Sequence, residues 1–109
     1  MDAYARARVP LDGFAVLCRV YRERLKMSQA ELAQRLGIAQ STLSRIERAE
    51  RCVAFAELLA FADIVDEPAD RIFSEVLSAG EAIQKELAEL GDPRLRRAAR
   101  TLVEVRLLL

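Results

Sequence analysis

Between residues 40 and 48 the sequence places a group of polar side chains that could bind a ligand by hydrogen bonding: Gln40, Ser41, Thr42, Ser44, Arg45 and Arg48. The carboxamide of Gln40 can donate and accept at once, and the guanidinium of Arg45 can donate two parallel hydrogen bonds. The chain has no His, no metal-ligand spacing, no glycine-rich phosphate loop and no nucleophile beside a base. We therefore expect a binding site without metal or cofactor rather than an enzyme active site.

These polar residues share the outer face of a short predicted helix that begins near Gln40. Two apolar residues three positions apart, Leu43 and Ile46, point inward and leave that face free. A capping box that begins at Ser28 and a left-handed stop at Gly37 bound a second helix just before it. The spacing predicts two helices joined by a tight turn, which is a helix-turn-helix.

This segment resembles the Cro and phage-repressor type of helix-turn-helix, the XRE-like family. The resemblance covers about residues 11–77 and is carried by Ser28-Gln29, Glu31-Leu32-Ala33, Gly37-Ile38 and Gln40-Ser41-Thr42-Leu43-Ser44-Arg45-Ile46-Glu47. It implies an all-α fold with a five-helix repressor-like domain, which binds double-stranded DNA by placing the second helix of the motif in the major groove. Family members often carry Gly where Ala49 stands and Ser or Thr where Ala54 stands, so this chain departs from the pattern twice.

The resemblance also implies roles for the polar residues. Gln40 suits adenine and Arg45 suits guanine, with Ser41 and Ser44 as further base contacts. Contacts with the DNA backbone are expected from Gln29, Thr42, Arg22, Arg48 and Arg51. For Ser41 and Thr42 the alternative is that they only satisfy nearby backbone groups, and for Arg48 and Arg51 that they are only solvated.

In this family an arginine at the place of Arg22 pairs with a glutamate near the end of the recognition helix, here Glu47. The pair would join helix one to helix three and hold the Arg22 guanidinium near phosphate. The alternative is a pair that only fixes the packing of the two helices.

The formal charge sums to zero but is unevenly distributed along the chain. Residues 1–52 hold ten Lys and Arg against six Asp and Glu, residues 53–92 hold two against ten, and residues 93–109 hold five against one. The helix-turn-helix half is therefore basic and the middle is acidic. This distribution is typical of a protein that approaches phosphate with one end.

The flanking patterns predict that the helix-turn-helix lies within a domain at residues 11–79. Asp12 is the expected cap of helix one, and residues 1–10 before it are either a disordered terminus or a basic arm along the DNA. Helix four is expected at about residues 54–65, nearly all apolar, and Asp66 is the expected cap of helix five.

Residues 80–109 are predicted to form a C-terminal helical extension. A separate sixth helix follows Gly80, and Asp92-Pro93 starts a final helix. The final helix carries an apolar seam at Leu95, Ala98, Leu102, Val105 and Leu109. Such a seam has to be covered by the chain itself, by another protein or by a second copy, and we favour a homodimer.

Cys18 and Cys52 are too few for a disulfide framework, and Cys18 lies on the apolar face of helix one. With no signal peptide and no membrane-spanning run, we expect a cytoplasmic protein. The pattern as a whole favours a dimeric transcriptional repressor. The alternative is an antitoxin-like protein whose C-terminal helices bind another protein, with DNA binding for autoregulation.

Overall fold

Local signals at Ser28 and Gly37 bound the first helix of the helix-turn-helix where the sequence predicts it, and the second helix begins at Gln40, as predicted, without a side-chain cap. The computed structural model describes residues 2–109, which form six α-helices and no strand within that range. The helices are α1 Ala3–Leu25, α2 Gln29–Leu36, α3 Gln40–Glu47, α4 Phe55–Ile64, α5 Ala69–Leu90 and α6 Arg96–Leu108, with a 3₁₀ turn at Pro93–Leu95. The predicted all-α class is confirmed.

The predicted capping box of α2 forms only in part. Ser28 Oγ accepts from the Glu31 backbone N–H at 3.0 Å, but the Glu31 carboxylate accepts from Arg35 instead of reaching back to the cap. Gly37 has φ of 73° and ends the helix in the left-handed conformation, as predicted.

The predicted start of helix one at Asp12 is wrong. The helix begins nine residues earlier, at Ala3, where Asp2 accepts the backbone N–H of Ala5 at 2.8 Å. Residues 3–10 are therefore neither a disordered terminus nor an extended arm, although Pro10 lies inside the helix; Met1 lies outside the described residues. This first part of α1 packs against α5, where the Gln84 carboxamide donates to the Ala5 carbonyl at 3.3 Å and Val9 lies against Gly80.

The predicted break at Gly80 is also wrong, because α5 runs through it without interruption. A Cβ on Gly80 would lie 2.1 Å from the carbonyl oxygen of Val9, and one on Gly13 would lie 2.0 Å from that of Val76. The two glycines thus let the backbones of α1 and α5 touch, and Gly80 serves packing rather than chain reversal. The proposed division between residues 79 and 80 falls inside α5 and stays a prediction.

The sequence predicts that Asp66 caps helix five, but Asp66 does not cap it. It adopts a left-handed conformation with φ of 58° just after α4, and α5 begins three residues further on, at Ala69, with Pro68 in the N-cap position. At the other end Gly91 closes α5 as predicted, and Asp92 caps the 3₁₀ turn by accepting the Arg94 backbone N–H at 2.9 Å.

Two groups of buried side chains hold the helices together. The first lies within the helix-turn-helix part, where Phe14 and Phe61 meet edge to face at 5.0 Å between ring centres above Leu32, Leu43 and Ile46. The second attaches the C-terminal helix and consists of Val16, Val20, Ile83, Leu87, Ala99 and Val103. Helix α1 contributes to both groups and so joins α6 to the domain.

Candidate nucleic-acid interface

A single buried carboxylate, that of Glu47 at the end of α3, fixes the orientation of the candidate interface. Arg22 on α1 donates to both of its oxygens, Nε to Oε2 at 2.7 Å and Nη2 to Oε1 at 2.8 Å. The bidentate bond raises the pKa of the Arg22 guanidinium above its ordinary value, although burial opposes the shift. The predicted pair between helix one and helix three is present, and it fixes the angle of α3.

A hydrogen-bonded chain leads from this pair to the exposed end of α3. The Gln29 carboxamide nitrogen donates to Glu47 Oε1 at 3.1 Å, and the Gln40 carboxamide nitrogen donates to Gln29 Oε1 at 3.5 Å. Gln29, predicted to face the DNA backbone, thus also positions the side chain predicted to read adenine. The chain connects α1, α2 and α3 through side chains alone.

Cys18 lies beneath the same carboxylate and donates its thiol to Glu47 Oε2 at 3.3 Å. Burial raises the pKa of the Cys18 thiol well above its ordinary value, and the charge of Glu47 adds to the effect. The thiol therefore stays protonated and serves as a fourth hydrogen bond to Glu47. The predicted buried position of Cys18 is confirmed.

The outer face of α3 carries the predicted base-reading residues at helical spacing. Gln40, Ser41 and Arg45 are exposed, whereas Thr42 and Ser44 are half-buried. Within residues 2–109 Arg45 has no carboxylate partner, so its guanidinium is available to a ligand. The opposite face of α3 is buried against the core through Leu43, Ile46 and Glu47.

The two arginines after α3 are engaged within the chain. Arg48 donates to Ser44 Oγ and pairs with Glu50 at 3.0 Å, and this hydrogen-bonded pair lowers the pKa of the Glu50 carboxyl. Arg51 pairs with Glu57 at 3.0 Å. Burial of Glu57 acts to raise its pKa, but bonds from Arg51 and the Ala54 backbone N–H outweigh burial and lower it. Arg48 and Arg51 therefore already have acidic partners within the chain.

Three sets of side-chain contacts near the candidate interface were not predicted from the sequence. One is the bond between Gln29 and Gln40, and another is the 2.6 Å ion pair between Arg19 on α1 and Glu104 on α6. The third is Asp12, fully buried, which accepts from Arg8, Arg96 and Arg100. Burial lowers the pKa of the Arg100 guanidinium and Asp12 opposes the shift. Of these contacts, only the Arg8–Asp12 ion pair could have been predicted from the sequence, because the two residues are four positions apart on a helix.

An exposed polar helix held at a fixed angle by a helix-turn-helix scaffold defines a DNA-binding domain. The comparison with family models agrees, since residues 19–72 match the model described as helix-turn-helix. This part of the chain therefore belongs to the XRE-type helix-turn-helix family, whose domains bind DNA, act in regulation and are not typically enzymes. The chain is accordingly a DNA-binding regulator of the XRE type.

The other comparisons add no relative. Searches against curated proteins and against solved structures each gave no match. None of the helices in residues 2–109 has the length and apolar character needed to span a membrane.

Proposed function

We propose that the protein is a homodimeric transcriptional repressor that binds double-stranded DNA sequence-specifically and acts in the cytoplasm. The observation that carries the proposal is the exposed face of α3, oriented by the chain of bonds from Arg22 through Glu47 and Gln29 to Gln40. A side chain positioned in advance loses less conformational entropy on binding, which favours affinity.

In this proposal the residues of α3 and its surroundings divide into two groups. Bases in the major groove are read by Gln40, Ser41, Ser44 and Arg45. The DNA backbone is contacted by Gln29, Thr42, Arg22, Arg48 and Arg51. Repression follows when the bound protein covers a promoter.

The C-terminal helix supplies the proposed dimer contact. Each residue of the predicted seam is exposed in the single chain: Leu95, Ala98, Leu102, Val105 and Leu109. The face of α6 that packs against the domain is a different one, built on Ala99 and Val103. The seam is therefore free to meet a second copy, and two copies would place two recognition helices on one operator.

The first test is a binding titration against the DNA upstream of the protein's own gene and against scrambled DNA of equal length, at several salt concentrations. We expect preference for the upstream duplex, two chains per site by light scattering, and affinity that falls steeply with salt. Equal binding to both duplexes would contradict sequence-specific recognition. A monomer at every concentration would contradict the homodimer and favour an antitoxin-like protein with another partner.

Arg45→Ala tests the assignment of base reading. We expect a loss of roughly 1–3 kcal/mol on the preferred site and relaxed preference at one base pair. The matched control is Arg71→Ala, which removes an exposed arginine on α5, paired with Glu67 and Glu75. Equal loss on all sequences would make Arg45 a backbone contact instead.

A further inference from the structure

The N-terminal half of α6 lies beside the end of the recognition helix. A cleft of about 230 Å³ separates them. Its walls are formed on one side by Arg48 and Glu50, which follow α3, and on the other by Arg97 and Arg100 of α6. The C-terminal helix therefore borders the end of α3 and the residues that follow it.

Four arginines and three glutamates line this cleft, so the lining has one positive charge in excess. Its three carboxylates already have arginine partners, in the pairs Arg22–Glu47, Arg48–Glu50 and Arg19–Glu104. Arg100 is held by Asp12 at 3.3 Å. Within residues 2–109 Arg97 has no carboxylate partner, and its side chain is exposed. Among the described residues 2–109, Arg97 is therefore the cation of the cleft without a carboxylate partner, while Arg100 is only partly neutralised because it shares Asp12 with Arg8 and Arg96.

The opposite wall can add a second cation. The Arg48–Glu50 pair has side chains that are 53% and 52% exposed, and exposed pairs of this kind contribute little free energy. Breaking the pair therefore costs little free energy, and Arg48 can exchange Glu50 for another anion. Such an anion would lie between Arg97 and Arg48.

The position of the cleft suits a phosphate of the duplex that α3 enters. Helix α3 has eight residues and is about 12 Å long at 1.5 Å per residue. The major groove is about 12 Å wide, so its phosphate-lined wall comes within reach of the far end of a helix whose first turn touches the bases. If α3 enters the major groove in this way, a basic cleft at that end would lie against the DNA backbone.

We propose that α6 supplies a second contact with the DNA backbone, in which Arg97 and Arg48 bind a phosphate beside the bases that α3 reads. This inference rests on the proposed function, because it requires that α3 enter the major groove. The contact neutralises charge and releases counterions, so it adds affinity without adding base preference. It gives the C-terminal helix a role in DNA binding besides the proposed dimer contact.

The test compares Arg97→Ala with Arg106→Ala in the same titration against preferred and scrambled DNA. Arg106 lies nine residues along α6, on the opposite face of the helix, and pairs with Glu86 of α5. We expect Arg97→Ala to weaken binding to both duplexes by about threefold to tenfold and to reduce the salt slope by about 0.9, with base preference unchanged. Arg106→Ala should leave both quantities as in the wild type.

The outcomes separate the two proposals. If the wild-type chain binds neither duplex, the proposed function fails. If it binds, but Arg97→Ala matches Arg106→Ala in affinity and slope, only the α6 contact is overturned. Light scattering on the same samples must show an unchanged oligomeric state for Arg97→Ala, since weaker binding through loss of the dimer would also overturn the phosphate contact.

Discussion

Glu47 is almost fully buried, and its carboxylate accepts hydrogen bonds from Arg22, Gln29 and Cys18. A buried charge is costly unless it is paired and hydrogen-bonded, and here every donor comes from another helix. The carboxylate therefore determines both the stability of the α1–α3 contact and the orientation of the recognition residues.

Replacing Glu47 by Gln should destabilise the domain by about 3 kcal/mol, because Arg22 would lose its countercharge while remaining largely buried. The measurement is urea unfolding followed by circular dichroism. Glu31→Gln is the matched control. It removes a carboxylate from an exposed i,i+4 pair with Arg35, for which we expect less than about 0.5 kcal/mol. Equal losses in the free energy of unfolding would show that the buried pair stabilises the domain no more than the exposed pair does.

At the scale of the elements, the crossing of α1 and α5 depends on glycine. The helix propensity of Gly80 alone predicts that Gly80→Ala should stabilise α5 by about 1 kcal/mol. The contact with the Val9 carbonyl predicts the opposite sign, because a Cβ there would force two backbones apart. We expect a loss of about 1–3 kcal/mol, measured by thermal unfolding.

Ser74→Ala is the control for that prediction, since Ser74 is exposed on the same helix. Its propensity gain should appear as a small increase in stability. A gain in stability for Gly80→Ala as well would mean that α1 and α5 do not approach as closely as the structure shows.

The same crossing explains which elements could be predicted from the sequence. The boundaries of α2 and α3 follow from residues within a few positions of each other, such as Ser28 and Gly37, and these predictions are confirmed. The start of α1 has a local cap at Asp2, but the close packing of its first part on α5 at Gly80 involves contacts between distant parts of the chain, such as Val9 with Gly80. Local propensity carries no information on such contacts.

The candidate site shows the same limit. The polar face of α3 follows from helical periodicity, and the Arg22–Glu47 pair followed from the family resemblance. The bond between Gln40 and Gln29 could not be foreseen, because it depends on the angle between α2 and α3. Local spacing gives a signal for Arg8 as a partner of Asp12, but it cannot show the contacts of Asp12 with Arg96 and Arg100, which lie 84 and 88 residues away.

At the scale of the whole molecule, α6 is tied to the domain by charge as well as by apolar packing. Asp12 binds both Arg96 and Arg100, and Arg19 binds Glu104 further along the same helix. These bonds run in register along α1 and α6, so the two helices lie parallel. The attachment fixes which face of α6 is turned outward, and that outer face is the apolar seam.

The seam leads to a prediction about assembly. Leu102 lies in the middle of the seam, and in a homodimer two copies of it would be buried. Burying a fully exposed leucine side chain contributes about 1.5–3 kcal/mol, and Leu102 is 40% exposed in the single chain, so Leu102→Glu should weaken dimerisation at least about 10-fold, measured by light scattering over a range of protein concentrations. Phe55→Glu is the comparison, because Phe55 is 70% exposed on α4 and lies outside the seam. Dissociation by Phe55→Glu together with an intact Leu102→Glu dimer would move the interface from α6 to α4.

Monomeric Leu102→Glu should still bind a single half-site through α3, with lower affinity, because the bonds that orient Gln40 all lie within one chain.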